Sequence, residues 1–268
     1  MSTVDQNRGV DPIIKAPYAV RKVSLSAPFE WLSKGLADMK KAKIPSIVYG
    51  LTFALIGIGL VFAAKNNPIW SAALTTAFLL IGPFLAIGLY DLSRQIEHGE
   101  KPCLLDSIKI IKGNLVNLGI FVVVLGFLLM IWLRVAALIA GIFFNNVELI
   151  TKGWAVLFEG GHSLEFILFF VFFGFFIAQL VFSISVVSIP LMLHRKVDVV
   201  TAITTSLRVV IKNPLPMLVW AILIVTLSML GIAFAFIGLA VTLPIIGHAS
   251  WHAYRELVED KKALKRDL

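Results

Sequence analysis

Apolar residues along this chain fall into long unbroken runs, separated by short polar segments that carry nearly all of the charge. About 20 apolar residues in a helix cross a hydrocarbon core of about 30 Å. Ile44 to Ala64 and Ile69 to Tyr90 are therefore expected as the first two spans, joined by the tight turn Lys65-Asn66-Asn67-Pro68. Leu115 to Phe144 and Leu164 to Leu193 are longer than a crossing needs, so they tilt or extend into the headgroups. From Leu215 to Trp251 there is no charged residue. A single helix of that length would measure roughly 55 Å at 1.5 Å per residue, so two short spans are expected, 215–230 and 232–251, turning near Ser228 to Gly231. The pattern predicts an all-α, polytopic membrane bundle of six helices over residues 27–251. A flexible tail (1–26) precedes it and a basic tail (252–268) follows.

Composition agrees with this. Hydrophobic residues make up 59% of the chain and charged residues 15%, against about 45–50% and about 25% in soluble domains. A soluble core cannot absorb so much apolar surface. The first 43 residues hold no apolar stretch of signal-peptide type, so the first span is expected to direct insertion itself. The single cysteine, Cys103, excludes an intrachain disulfide.

The net charge of +8 points to anionic lipid headgroups rather than to nucleic acid, because the cations sit in the segments between apolar runs. Every Lys and Arg except Lys65, Lys152 and Arg134 falls within 1–43, 91–114, 194–213 or 252–268. Basic segments stay in the cytoplasm. A five-span layout would place Arg255, Lys261, Lys262, Lys265 and Arg266 outside, so six spans with both ends cytoplasmic are expected.

A repeat runs through the cytoplasmic segments. Gly35 to Lys41, Ser107 to Gly113 and Ser206 to Lys212 align without gaps, each a small residue and then a branched aliphatic, with basic residues, leading into an odd-numbered span. Pro45, Asn117 and Pro216 fall at one offset. Three amphipathic surface helices are predicted, with apolar faces Phe29-Leu32-Leu36-Met39, Leu104-Ile108-Ile111-Leu115 and Val200-Ile203-Leu207-Val210. Ser26 or Ala27 before Pro28, and Asp198 before Val199, are the expected helix starts. Each even-numbered span carries a proline near its cytoplasmic end, Pro83, Pro190 and Pro244, where a kink is expected. Counting on from Pro83 and Pro244 brings Tyr90 into register with Trp251, aromatics placed for an interfacial belt, and Arg94 with Arg255. The unit is a surface helix plus a two-span hairpin, present as three parallel repeats about an axis along the membrane normal.

The chain's ending, Pro244-Ile245-Ile246-Gly247-His248-Ala249-Ser250-Trp251-His252-Ala253-Tyr254-Arg255, taken with the basic N-terminal helix and these spans, resembles a bacterial family of integral membrane proteins known only as a domain of unknown function. The resemblance extends over nearly all of the chain after about residue 15. It implies a bacterial inner membrane and transfers no catalytic or binding residue. Mitochondrial carriers also have three two-span repeats, but their Pro-x-acidic-x-x-basic motif is absent at Pro83 and Pro190, and that relationship is rejected.

Candidate chemistry is sparse. His248 and His252 share a helix face, as metal- or haem-binding pairs do, yet no Cys, Asp or Glu partner is identifiable from sequence. The plainer expectation is interfacial histidines beside Trp251 and Tyr254. Arg134, near the outer boundary of the third span, is expected to snorkel or to pair with Glu148, and otherwise to serve a buried ionic role. Gln179, with Ser183, Ser185 and Ser188, suggests interhelical hydrogen bonding or a substrate path. The phenylalanines from Phe166 to Phe176 cover every side of their helix, as lipid and core packing require.

The chain is therefore expected to be a non-enzymatic membrane component without a cofactor, a scaffold or accessory factor. Its expected partners are a bilayer with anionic headgroups and a protein or a further copy of itself. A small-solute transporter or channel, and a haem, quinone or metal protein using His248 and His252, are the alternatives.

Overall fold

A computed structural model describes residues 18–64, 78, 82, 84, 86–107, 113–144 and 163–258. Its long elements are all helical: α1 (Ala27–Lys41), α2 (Lys43–Ala64), α3 (Ile87–Glu97), α4 (Leu115–Phe143), α5 (Ser163–Ser185), α6 (Ser188–Arg195), α7 (Val199–Lys212), α8 (Pro214–Ala233) and α9 (Leu239–Leu257). No strand occurs among the described residues, where the one β-bridge joins Val20 to Val258.

Among the described residues, four helical stretches are long and apolar enough to cross a membrane: α2 over Lys43–Leu60, α4, Leu164–Arg195, and α8. On α5 the side chains of Phe169, Phe172, Phe173, Phe175 and Phe176 are exposed, as a lipid-facing helix requires. Most of the expected second span lies outside the described residues. So do Glu148 and Pro83, and residues 108–112 of the middle surface helix, of which Leu104 to Ser107 is helical.

The fourth apolar run is broken at Val186 and Val187, between α5 and α6. Pro190 accounts for this, since it cannot donate to the Val186 carbonyl and its ring crowds that oxygen. The Val187 amide instead donates to the Ser206 hydroxyl at 3.4 Å. In the last apolar run the chain does turn back, but later than expected: α8 continues through Gly231, and the turn is made by 234–238, with Ala235 and Phe236 at positive φ.

Helix α9 is less apolar than α2, α4, α5 and α8 because neighbours rather than lipid surround it. It runs antiparallel to α2, from Phe236 against Gly57, through Ala240 against Gly50, to His248 against Ser46. A Cβ at Gly50 would lie 2.5 Å from the Ala240 carbonyl oxygen. That carbonyl is the one Pro244 leaves without its helical partner, so the bare glycine admits both the backbone and its freed acceptor. At Gly35 of α1 a Cβ would lie 2.6 Å from the Ala249 nitrogen, which seats α1 on the other half of α9.

The surface helices use the faces their apolar periodicity suggests only in part: Leu32, Ile203, Leu207 and Val210 pack against the core and Met39 is buried, with small and polar neighbours buried beside them. Helix α1 buries Trp31, Gly35 and Asp38 and leaves Phe29 and Leu36 exposed. Helix α7 buries Ala202, Thr205, Ser206 and Val209 and leaves Val200 exposed. The small residue that heads each repeat is buried in all three cases: Gly35 against α9, Ser107 near Gln95 of α3 (3.4 Å), and Ser206 donating to the Ser183 carbonyl of α5 at 2.7 Å. The expected helix starts hold: α1 begins at Ala27 just after Ser26 and ahead of Pro28, though the Ser26 side chain makes no capping bond, and the Asp198 carboxylate accepts from the Thr201 amide at 2.9 Å.

Residues 18–26, expected as part of a flexible tail, are tied down. The Arg21 amide donates to the Leu257 carbonyl (2.8 Å), and Asn213 donates to the Arg21 carbonyl (2.9 Å) while accepting from the Val23 amide (2.9 Å). Helix α9 likewise runs past residue 251 to Leu257, whose side chain is fully buried.

Candidate functional site

Where α1, α2, α3 and α9 meet, five polar side chains form one hydrogen-bonded chain. His252 Nε2 lies 2.7 Å from Asp38 Oδ2, and the Ser93 hydroxyl donates to the same oxygen at 2.8 Å. Ser93 Oγ is also 2.7 Å from His248 Nδ1, and His248 Nε2 is 2.9 Å from Ser46 Oγ. Ser93 has one proton and gives it to Asp38, so Nδ1 of His248 must carry the proton it shares with Ser93. For a neutral ring, Nε2 then accepts from Ser46. Every donor points the same way, towards the Asp38 carboxylate. A carboxylate with two such partners is well satisfied.

Burial pushes the Asp38 carboxyl up, but the bonds from His252 and Ser93 and the attraction of both histidines outweigh it, holding the group below its ordinary 3.8. Near the end of α3 the same balance recurs. Burial raises the Glu97 carboxyl, and the Trp251 indole (2.9 Å) and Arg255 guanidinium (2.9 Å) more than compensate, leaving it below 4.5. Trp251 is 1% exposed, so it is a buried anchor rather than a member of an interfacial belt. Beside it His194 Nδ1 meets the Tyr254 hydroxyl at 2.9 Å, and burial pushes that hydroxyl up to about 12.

The histidines are thus together, as their spacing suggests, but they differ in exposure: His248 is 0% exposed inside the bundle, whereas His252 is partly exposed. Among the described residues no group of three His, Cys, Asp or Glu side chains is placed to hold a metal ion. Ser46, His248, Ser93 and Asp38 have the order of a hydroxyl, a base and its orienting groups, but Ser46 and His248 are sealed inside the bundle. Chemically, the chain can lock four helices together and share protons along its length.

Arg134 is exposed on α4. Gln179 is half-buried, and its polar contact is within its own helix, to Ser183 at 3.4 Å. Ser185 and Ser188 also bond to carbonyls one turn back. The interhelical bond in this region comes instead from Ser206.

Asp38, Ser46 and Ser93 were not singled out by the sequence, yet a signal for two of them was present. In the repeat alignment Asp38 stands where the others have Ile110 and Val209, and Ser46 where they have Leu118 and Met217. Val209, Leu118 and Met217 are buried. Two core positions have thus turned polar in one repeat, which is where a local rule is broken.

A second feature lies beside this node. A cavity of about 750 Å3 opens between α3, α4, α5, α8 and α9, lined by Tyr90, Trp132, Gly174, Gln179, Trp220 and Ser250 among others.

The apolar crossings and the buried polar seam together describe a chain that lives in a bilayer, and the family comparison says the same. Residues 71–194 match the family model described as Predicted integral membrane protein (DUF2189). The DUF2189 match runs from within the second apolar run to the end of α6. It agrees with the resemblance to a membrane-protein family of unknown function, although the closing His248 to Arg255 segment lies outside the matched residues. No curated protein and no solved structure matches the chain. The protein is an integral membrane protein of several apolar helices, and DUF2189 carries no assigned activity.

Proposed function

We propose that this protein is a non-enzymatic scaffold of the bacterial inner membrane, with six spans, both ends in the cytoplasm, and a collar of surface helices bedded in the inner leaflet. The observation that carries this reading is the attachment of α1. Trp31, Gly35 and Asp38 fasten the helix to α9, while Phe29 and Leu36, 57% and 40% exposed, face away from the bundle with Lys40 and Lys41 at the helix end. Helix α7 repeats the arrangement, with exposed Val200 and Ile211 near Arg208 and Lys212. Apolar outer faces flanked by cations suit the boundary between acyl chains and anionic headgroups. The polar node ties α1 to α2, α3 and α9, and Ser206 ties α7 to α5, fixed attachments of the kind a scaffold needs.

The six-span layout is supported by the antiparallel course of α9 along α2 and by the clustering of cations. A threefold plan is supported by the order of docking: the first surface helix sits on the last hairpin, the third on the middle hairpin, and the middle one near α3 of the first.

Purification of the tagged full chain in mild detergent tests the scaffold reading. A stoichiometric protein partner or a defined homo-oligomer is expected, with binding to vesicles of phosphatidylglycerol exceeding binding to phosphatidylcholine. A partnerless monomer indifferent to lipid charge would overturn it.

A further inference from the structure

We infer that the arm ahead of α1 and the last turn of α7 form a binding site for the phosphate of one anionic phospholipid of the inner leaflet. The inference rests on the placing of α7 at headgroup level, and it names what that part of the collar holds.

Tyr18, Ala19 and Val20 face Arg208, Ile211 and Lys212 across a hollow of about 420 Å3. Arg208 and Lys212 are four residues apart, which puts both cations on one face of α7. Like charges at that spacing repel, and no carboxylate offsets them here. Neither residue forms an ion pair among the described residues, and Arg208, although half-buried, makes no hydrogen bond there. Lys212 Nζ donates to the Val20 carbonyl at 2.5 Å. An ammonium has three donors, so that bond fixes the charge at the wall of the hollow and leaves two donors for an incoming anion. The Glu256 carboxylate, close in the chain to the Val258 that bridges to Val20, is already engaged by Trp31 and Lys34.

Position selects the anion. Helix α7 ends at Lys212, and α8, long and apolar enough to cross a membrane, starts at Pro214. The two cations therefore stand where the chain enters the hydrocarbon, at the level of the lipid phosphates. A guanidinium fork beside an ammonium suits phosphate oxygens. Ile211 and Leu215, 76% and 64% exposed, adjoin the cations, and Leu218 and Ile222 continue the exposed apolar surface along α8. A lipid held at its phosphate can lay its acyl chains there. The third repeat alone carries a cation at both aligned positions, since the first has Ala37 and Lys41 and the second Lys109 and Gly113.

The test uses the full chain, stripped of lipid in mild detergent and titrated with short-chain phosphatidylglycerol, with occupancy read by native mass spectrometry. One lipid per chain should bind saturably and more tightly than phosphatidylcholine of the same length. Inorganic phosphate in hundredfold excess should not displace it, because it lacks the acyl chains. Arg208→Gln breaks no hydrogen bond or ion pair among the described residues and should weaken binding at least threefold. Arg208→Gln combined with Lys212→Gln should weaken it at least tenfold, with unchanged helical circular dichroism. If that pair fails to fold, Arg208→Gln alone decides. Lys40→Gln with Lys41→Gln removes the same charge from α1 and should leave the lipid bound. Equal weakening by the two pairs would overturn this site while leaving the collar reading intact. A wild-type chain with no preference for phosphatidylglycerol would remove both. Displacement by inorganic phosphate, or binding unmoved in folded Arg208→Gln, would each overturn the assignment.

Discussion

Ser46 and His248 are 202 positions apart in the chain and 2.9 Å apart in space, joined at the inner end of the polar node. Ser46→Ala leaves the imidazole Nε2 buried without a donor, a loss of about 1–3 kcal/mol. His248→Ala leaves both serines short of a partner and should cost at least as much. Chemical unfolding of the single and double variants in detergent is expected to give a coupling of about 0.5–3 kcal/mol between the sites. Strict additivity would mean that the two side chains do not meet.

The pH dependence follows from the carboxylates. Asp38 and Glu97 have folded values below their ordinary 3.8 and 4.5. Their contribution is therefore complete above those ordinary values and is lost as pH falls through the depressed folded ones. Melting temperature in detergent should fall as pH drops below about 4.5, in addition to any loss already caused by charging the buried, neutral His248 ring. In Asp38→Asn the neutral plateau should be lower and the acid drop shallower. A variant with an unaltered acid limb would contradict the node.

Backbone contact between α2 and α9 makes Gly50 intolerant of a side chain. Gly50→Val presses a Cβ against the Ala240 peptide, and overpacking of this kind costs about 1–3 kcal/mol. Gly59, with nothing within 4 Å of a built Cβ, is the control. Gly59→Ala should be neutral or stabilising by up to about 1 kcal/mol, the ordinary helix gain. Thermal unfolding of the pair distinguishes close packing from a general aversion to larger residues.

At the start of α7, Asp198→Ala removes the acceptor for the Thr201 amide and should cost about 1 kcal/mol, the usual value for a lost cap. Asp198→Ser should recover most of it. Protection of the Thr201 amide in hydrogen exchange reports the change locally.

Features set by short stretches of chain were legible in the sequence: the apolar runs, the Pro28 and Asp198 helix starts, and the break imposed by Pro190. The burial of Gly35 and Asp38 in α1 and of Thr205 and Ser206 in α7 was not, and the reason is the solvent. In water an apolar stripe points inward, but beside lipid there is no drive to hide Phe29 or Leu36. Packing instead selects small and hydrogen-bonding residues such as Gly35, Asp38 and Ser206. The last turn was misplaced for a related reason. Gly231 resembles a turn residue, yet it serves close approach to Leu239, and the reversal falls to Ala235 and Phe236 at positive φ, a conformation that non-glycine residues seldom advertise. The pairing of His248 and His252 on one face was readable from their spacing. Their partners were not, because Asp38 lies 214 positions from His252.

The bridge between Val20 and Val258 closes the described chain into a loop. Stretched from the two ends of the described residues, the molecule would load that bridge and the neighbouring Arg21–Leu257 bond before any helix bore tension, so the arm ahead of α1 and the last turn of α9 would part first and together. A peptide tether joining the two ends would add a covalent link where the fold already makes a non-covalent one.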